Sequence, residues 1–184
     1  VFSLLGVFFI GFFYDLVVWG FFALPVALYC WLIKDSWYQK KWQRIPLFIL
    51  FFLIILILVV NVFAEIVFWD EFNVRLNFIV VDYLIYTTEV LGNIRESYNV
   101  PLIIAAVALA VVLILFSVRN KIIASQEASM RFGKRTVFFL LFILFPVAGY
   151  FLVNNRIKNT SGNNYINELG GNGIYEFGTA FWNN

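Results

Sequence analysis

Residues 47–60, LFILFFLIILILVV, contain no polar side chain. They form the centre of an apolar segment, residues 45–68, which as an α-helix is long enough to cross a hydrocarbon core about 30 Å thick. The composition agrees, since 62% of the 184 residues are hydrophobic and 13% are charged, against about 25% charged in soluble domains. We therefore expect a membrane protein built around this helix.

The apolar segment that precedes it, residues 1–33, is longer than one upright crossing of the membrane requires. We expect a break within residues 11–15, which would separate an embedded or interfacial piece from a first full span over 16–33. Asp15 would then lie at a membrane boundary. An acid inside a bilayer is a functional candidate, whereas an acid at a helix start often only caps the helix, and we favour the cap.

Two further apolar segments follow in the second half of the chain. Pro101 opens a span over 101–118, and residues 137–153 form a fourth span, kinked or broken at Pro146 and Gly149. The sequence thus predicts an all-α, polytopic helical membrane protein with about four transmembrane helices, whose helical domain covers residues 1–153.

Two polar side chains stand out near the end of the second span. Asn61 and Glu65 are four residues apart and therefore lie on one helix face. They would either line a hydrophilic cavity or form hydrogen bonds to a neighbouring helix. Together with Asp15, they are the candidate polar residues inside the membrane.

Two short connectors carry most of the positive charge. Residues 34–44 and 119–135 hold nine basic and two acidic side chains, with tryptophan and tyrosine among the first group. Basic and aromatic residues beside a span are typical of a cytoplasmic loop at the membrane interface, and we expect no nucleic-acid partner. The basic excess predicts that both connectors face the cytoplasm from a plasma (inner, cytoplasmic) membrane, with the central stretch and the C-terminal tail outside.

The central stretch mixes charged, amide and aromatic side chains more densely than any other part of the chain. It reads WDEFNVRLNFIVVDYLIYTTEVLGNIRESYNVP at residues 69–101, and we expect an amphipathic interfacial helical region over 69–100. Glu71 precedes Arg75 by four residues, the favourable order for an ion pair on one helix face. The stretch would form a site for a lipid or an attached domain, or else a polar network that only fixes helix packing. The candidate lipid and interface residues are Glu71, Arg75, Asn77, Asp82, Tyr83, Tyr86 and Glu89.

The C-terminal segment, residues 154–184, is rich in Asn and Gly and poor in aliphatic side chains. This composition is typical of a flexible linker, and the charge pattern predicts that it is extracellular.

The residue inventory excludes several kinds of chemistry. The chain has no histidine and one cysteine, Cys30, so it holds no Ser-His-Asp triad, internal disulfide or cysteine metal cluster. Asp82, Glu89 and Glu96 are spaced by seven residues, about 10 Å per step on a helix, and cannot by themselves converge on one metal ion. We expect no catalytic residue, no cofactor and no metal ligand set within this chain.

Three stretches carry a family resemblance. DEFNVRLNFIVVDYLIYTTEVLGNIRESYNVP, at 70–101, resembles the linker between membrane helices in lipoteichoic acid synthase-like phosphoglycerol transferases. NYINELGGNGIYEFGTAFWNN, at 164–184, is similar to the segment that leads into their extracellular catalytic domain, and GFFYDLVVWGFFALP, at 11–25, is similar to their second span.

The resemblance implies the membrane domain of a phosphoglycerol or phosphoethanolamine transferase of the alkaline phosphatase/sulfatase superfamily. In that family, five membrane helices precede a catalytic domain that uses a divalent metal, often manganese, and a threonine nucleophile. The family's first span and its catalytic domain have no counterpart in these residues, so we expect this chain to be part of a longer protein. The implied partners are membrane phospholipid and the protein's own extracellular catalytic domain.

Two other classes of function stay open. A small transporter or channel would use Asp15, Asn61 and Glu65 as an ion or proton path, but the sequence has no evident inverted repeat. A non-catalytic membrane scaffold subunit is the third functional hypothesis.

Overall fold

The computed structural model describes residues 2–77, 79–81, 92, 94–128 and 130–183, and these residues form helices and no strand. The helices whose full bounds are described include one short 3₁₀ helix, Lys41–Gln43. The α-helices are α1 Phe2–Leu32, α2 Asp35–Tyr38, α3 Arg44–Phe72, α4 Val100–Ser125, α5 Phe132–Leu152, α6 Asn164–Leu169 and α7 Gly173–Asn183.

Four of these helical segments are long and apolar enough to cross a membrane: Leu4–Leu32, Lys41–Phe72, Val100–Ser125 and Phe132–Leu152. The predicted all-α, polytopic membrane class is therefore confirmed.

Two details of the predicted spans are wrong. Helix α1 is a single continuous helix of 31 residues, without the break expected within residues 11–15. Helix α5 likewise continues through Pro146 and Gly149, so of the kink or break expected there, the break is absent. Proline removes one backbone hydrogen bond from a helix. In α5, Pro146 and Gly149 are both buried in the contact with α1, and this packing offsets the lost hydrogen bond.

The two basic connectors meet at one end of the bundle. The side chain of Gln126, which is buried, donates to the Tyr38 carbonyl at 2.9 Å and accepts from Arg44 Nε at 3.0 Å. Arg135 Nη1 donates to the Ile33 carbonyl at 2.5 Å, where the last carbonyls of α1 lack a partner within the helix. We call this end, residues 33–43 and 126–131, the basic end. Its cytoplasmic location stays a prediction.

The four long helices form two closely packed pairs. Helix α1 packs chiefly on α5, where the Trp31 and Phe139 rings stack at 4.5 Å between centroids. Helix α3 packs chiefly on α4 around the buried residues Ile55, Val59 and Val111. The two pairs contact each other much less along α1 and α3, and a groove therefore runs between these two helices.

The C-terminal segment folds onto α1, unlike the flexible linker expected from its composition. Tyr14, Val17 and Val153 form a buried cluster, and the Tyr14 hydroxyl donates to the Asn154 carbonyl at 2.6 Å. The Tyr175 hydroxyl in α7 donates to the Val153 carbonyl at 2.6 Å. We call residues 153–183 the tail and the end of the bundle on which it lies the tail end. Its extracellular location is untested.

The contact between α1 and α5 depends on glycine. A Cβ atom at Gly149 would lie 2.8 Å from Val17 Cγ1, well inside van der Waals contact, whereas a Cβ at Gly133 of the same helix would meet no heavy atom within 4 Å. The substitution Gly149→Ala should therefore destabilise the protein by about 1–3 kcal/mol through overpacking. We expect a lower melting temperature in detergent, by about 2–4 °C per kcal/mol.

The matched control is Gly133→Ala, which adds the same methyl group in open space. It should leave the melting temperature unchanged or raise it, because alanine favours a helix over glycine by about 0.5–1 kcal/mol. Equal melting temperatures for the two variants would contradict the close packing of α1 on α5.

Candidate functional site

The groove between α1 and α3 encloses a cavity of about 1140 Å³. Most of its wall is apolar, and the aliphatic and aromatic side chains come from both helices: Val18, Phe22 and Val26 from α1, and Ile54, Leu58 and Val62 from α3. Polar side chains line it at one level, Asp15, Asn61, Glu65, Arg75 and Asn172, and we call this set the polar layer.

The polar layer lies about one membrane thickness from the basic end. Asp15 precedes Lys34 by about 19 residues and Glu65 follows Arg44 by about 21, which correspond to about 28 and 32 Å of helix. A hydrocarbon core is about 30 Å thick. If the basic connectors lie at one membrane surface, both helices reach the other surface at the polar layer.

Glu65 is held from two sides. Asn61 Nδ2 donates to Glu65 Oε1 at 2.9 Å, and Arg75 Nη1 forms an ion pair with Glu65 Oε2. The expected shared face of Asn61 and Glu65 is confirmed, and both side chains line the groove. Because only 17% of the Glu65 side chain is exposed, the charge of Arg75 is needed to offset its loss of hydration.

Arg75 also ties α3 to the tail. Its Nε donates to the Glu168 carbonyl at 3.3 Å and its Nη2 to the Leu169 carbonyl at 3.2 Å. These are carbonyls of the last turn of α6, where a helix has unpaired acceptors and favours a cation. Arg75 therefore fastens the tail over the outer end of the groove.

A second cation continues this network inside the tail. Lys158 Nζ lies 2.6 Å from Glu168 Oε1 and 2.7 Å from Glu176 Oε2, and only 9% of the Lys158 side chain is exposed. Glu168 Oε2 also accepts from the Arg75 backbone N–H at 3.3 Å. The charged groups of α3, α6 and α7 thus form one connected cluster, the ion-pair chain: Glu65, Arg75, Glu168, Lys158 and Glu176.

Glu176 is the least satisfied member of the ion-pair chain. Its Oε1 is buried and has no hydrogen-bond partner among the residues that the structure describes. Burial raises the pKa of the Glu176 carboxyl, and the nearby Lys158 opposes this shift. Lys158 divides its charge between Glu176 and Glu168, so burial prevails.

Two glycines of the tail, Gly171 and Gly173, lie very close to carboxylates of the ion-pair chain. A Cβ at Gly171 would lie 2.1 Å from Glu176 Oε1, and a Cβ at Gly173 would lie 2.6 Å from Glu65 Oε1. A side chain at Gly173 would displace the Glu65 carboxylate or the tail, and one at Gly171 would displace the Glu176 carboxylate within the tail.

Asp15 does not cap a helix, contrary to our expectation. It lies in the middle of α1, where its side chain is exposed toward the groove and accepts a hydrogen bond from Asn172 Nδ2 at 2.7 Å. Asn172 in turn accepts from the Tyr175 backbone N–H at 2.9 Å.

The predicted ion pair between Glu71 and Arg75 is wrong. Helix α3 ends at Phe72, and Asn73 adopts the left-handed conformation at φ 55°, so Glu71 and Arg75 do not share a helix. Glu71 instead accepts from the Tyr98 hydroxyl at 3.1 Å. Asn77, also outside the groove, accepts from the Ile79 backbone N–H at 3.0 Å. The remaining candidates lie outside the described residues: Asp82, Tyr83, Tyr86 and Glu89.

Sequence reasoning missed the tail residues Lys158, Glu168, Asn172 and Glu176. No local pattern indicated them, because the tail is rich in Asn and Gly. Lys158 pairs with Glu168 and Glu176, which follow it by 10 and 18 residues.

The described residues do not provide a metal site, since they contain no group of three or more Asp, Glu, Cys or His side chains that could hold one ion. No metal-dependent step is therefore derived for this chain. Comparisons with known protein families, curated proteins and solved structures find no match.

Arg75→Ala should weaken the attachment of the tail to the end of α3, because Arg75 forms the contacts to α6. The variant leaves the Glu65 carboxylate without its cation and removes the Arg75 donors from the Glu168 and Leu169 carbonyls, which should cost about 2–3 kcal/mol. We expect a lower melting temperature in detergent and faster trypsin cleavage after Arg156 and Lys158 in the tail.

Arg95→Ala is the control, because Arg95 is an exposed arginine that does not line the groove. It should leave both readouts unchanged. If Arg75→Ala behaves like Arg95→Ala, the ion-pair chain does not hold the tail.

Proposed function

We propose that the chain is the membrane domain of a lipid head-group transferase, which holds one phospholipid in the α1–α3 groove and presents its head group at the tail end. One observation carries this proposal: the groove is apolar along most of its length and has a single polar layer.

The depth of the groove supports a lipid as its occupant. On the far side of the polar layer, the lining continues along α1 to Leu4. Toward the basic end, it extends from Asp15 to Val26 along α1 and from Asn61 to Phe51 along α3, about 15–17 Å. This length is about half of a hydrocarbon core of about 30 Å and therefore matches one leaflet. A lipid with its head group at the polar layer would place its acyl chains along this part of the groove.

Access from the bilayer also supports the proposal. Trp19 and Leu58 line the groove between the polar layer and the basic end and are exposed on the surface of the bundle. Exposed apolar side chains along a transmembrane helix face lipid tails, so a lipid can enter sideways without crossing a polar barrier. The groove is thus accessible to the molecules that surround it.

The transferase part of the proposal rests on the family resemblance. The tail, which resembles the segment before the family's catalytic domain, packs beside the polar layer through Gly170, Asn172 and Gly173. A catalytic domain that follows such a tail would be held next to the presented head group. The chain's part in the reaction is then to bind and orient the lipid; the metal and the nucleophile would belong to the catalytic domain.

An ion path through Asp15, Asn61 and Glu65 would have to break the ion pair of Glu65 with Arg75 and its hydrogen bond from Asn61. Of these three residues, Asp15 alone keeps a carboxylate without an ion pair among the described residues. One such residue does not form a path across the membrane, so the polar layer favours a binding groove.

Two adjacent residues of α3 give a matched test. Leu58 lines the groove, whereas Ile57 is exposed and does not. Leu58→Trp should fill the groove and remove most of the cross-linking between the purified protein and a phospholipid with a photoreactive acyl chain. Ile57→Trp adds an indole outside the groove and should leave the cross-linking unchanged.

The cross-linked residues are mapped by mass spectrometry. We expect them on the groove faces of α1 and α3. Equal cross-linking in both tryptophan variants, or cross-links spread around all four long helices, would contradict a lipid site in the groove. In a longer protein that carries a catalytic domain, head-group transfer should fall with Leu58→Trp and persist with Ile57→Trp.

A further inference from the structure

The charges that line the groove do not balance. Its charged lining residues are Asp15, Glu65 and Arg75, among the residues that the structure describes. Arg75 is paired with Glu65, so these two charges offset each other. Asp15 receives only a hydrogen bond from the neutral amide of Asn172. The polar layer therefore keeps one negative charge, which is located on Asp15.

The surrounding groups do not supply the missing positive charge. Lys158, the other cation of the ion-pair chain, is shared by Glu168 and Glu176. Among the described residues of the polar layer and the ion-pair chain, the four carboxylates Asp15, Glu65, Glu168 and Glu176 thus outnumber the two cations. An anionic head group that enters the polar layer meets a site of its own charge.

We propose that the groove selects a phospholipid whose head group ends in a primary ammonium, with that ammonium bound to the Asp15 carboxylate. This inference rests on the proposed function and names the class of lipid. An ammonium has three N–H donors, and the Asp15 carboxylate keeps free acceptor positions after the bond from Asn172. A charge-assisted bond of this kind is stronger than the bond between an uncharged head-group hydroxyl and the same carboxylate.

The geometry of the groove places this contact at the correct depth. Asp15 lies at the polar layer, and toward the basic end the apolar lining extends about 15–17 Å of helix beyond it. An ammonium at Asp15 therefore leaves the acyl chains along the apolar wall. A phosphatidylglycerol head group has the same reach but brings a net negative charge toward Asp15.

The test compares lipids with identical acyl chains as competitors of the photoreactive phospholipid. In the unchanged protein at low salt, phosphatidylethanolamine should compete about fivefold more effectively than phosphatidylglycerol, the ratio expected for a partly exposed ion pair of about 1 kcal/mol. Phosphatidylcholine, whose ammonium has no N–H group, should fall between them. Added salt should reduce the preference, because Asp15 is partly open to water.

Asp15→Asn should bring the ratio of phosphatidylethanolamine to phosphatidylglycerol close to one, since it removes the charge and keeps the shape. Glu96→Gln is the control: Glu96 is an exposed acid that does not line the groove, and its variant should keep the preference.

Each contrary outcome overturns a different statement. Equal or better competition by phosphatidylglycerol in the unchanged protein, with cross-links still in the groove, overturns the ammonium selection and leaves the lipid groove standing. A preference that survives Asp15→Asn, or phosphatidylcholine that equals phosphatidylethanolamine, overturns the hydrogen-bonded ammonium at Asp15. Cross-links outside the groove that no lipid displaces overturn the proposed function itself.

Discussion

The ion pair between Arg75 and Glu65 is the interaction on which the tail end of the molecule depends. Glu65 lies near the end of a long apolar helix, where an isolated carboxylate would be costly, and Arg75 supplies the compensating charge. The same guanidinium donates to the Glu168 and Leu169 carbonyls at the end of α6. One side chain therefore neutralises the membrane helix and holds the tail against it. Without Arg75, Glu65 would lose the one ion pair that it forms among the described residues, and α6 would lose its side-chain bonds to Arg75.

This arrangement gives the groove its polarity. The long helices pack as two pairs, α1 with α5 and α3 with α4, so the weaker contact between the pairs leaves an apolar space. The tail packs against that space and contributes Asn172. The side-chain amide of Asn172 donates a hydrogen bond to Asp15 but does not neutralise the Asp15 charge. An amphiphile in the groove would meet hydrocarbon surface along its chains and an uncompensated carboxylate at its head. The proposed lipid site and its proposed preference for an ammonium both rest on the pairing of Arg75 with Glu65, which leaves Asp15 without a cation.

The sequence predicted those features that local composition determines. Four spans, and the shared face of Asn61 and Glu65, follow from apolar length and helical spacing, which do not depend on distant contacts. The predicted pair of Glu71 and Arg75 failed because its spacing assumes a continuous helix, whereas α3 ends at Phe72. The tail was misjudged because Lys158 and Glu176 are stabilised by each other and by a network that reaches α3 through Arg75. Such a network joins residues far apart in sequence, so no local pattern contains it.

The most direct test of this account is the depth of α3 in a lipid bilayer. Cys30 is the only cysteine, so a Cys30→Ser background accepts single spin labels at the exposed positions Leu53, Ile57 and Ile66. Depth is then read from the relative accessibility of each label to oxygen and to a water-soluble nickel complex. The account predicts the greatest depth at Leu53 and Ile57, near the bilayer centre, and an interfacial depth at Ile66, beside the polar layer. A label at Ile66 as deep as one at Ile57 would place the polar layer inside the hydrocarbon core and contradict a groove that holds a lipid of one leaflet.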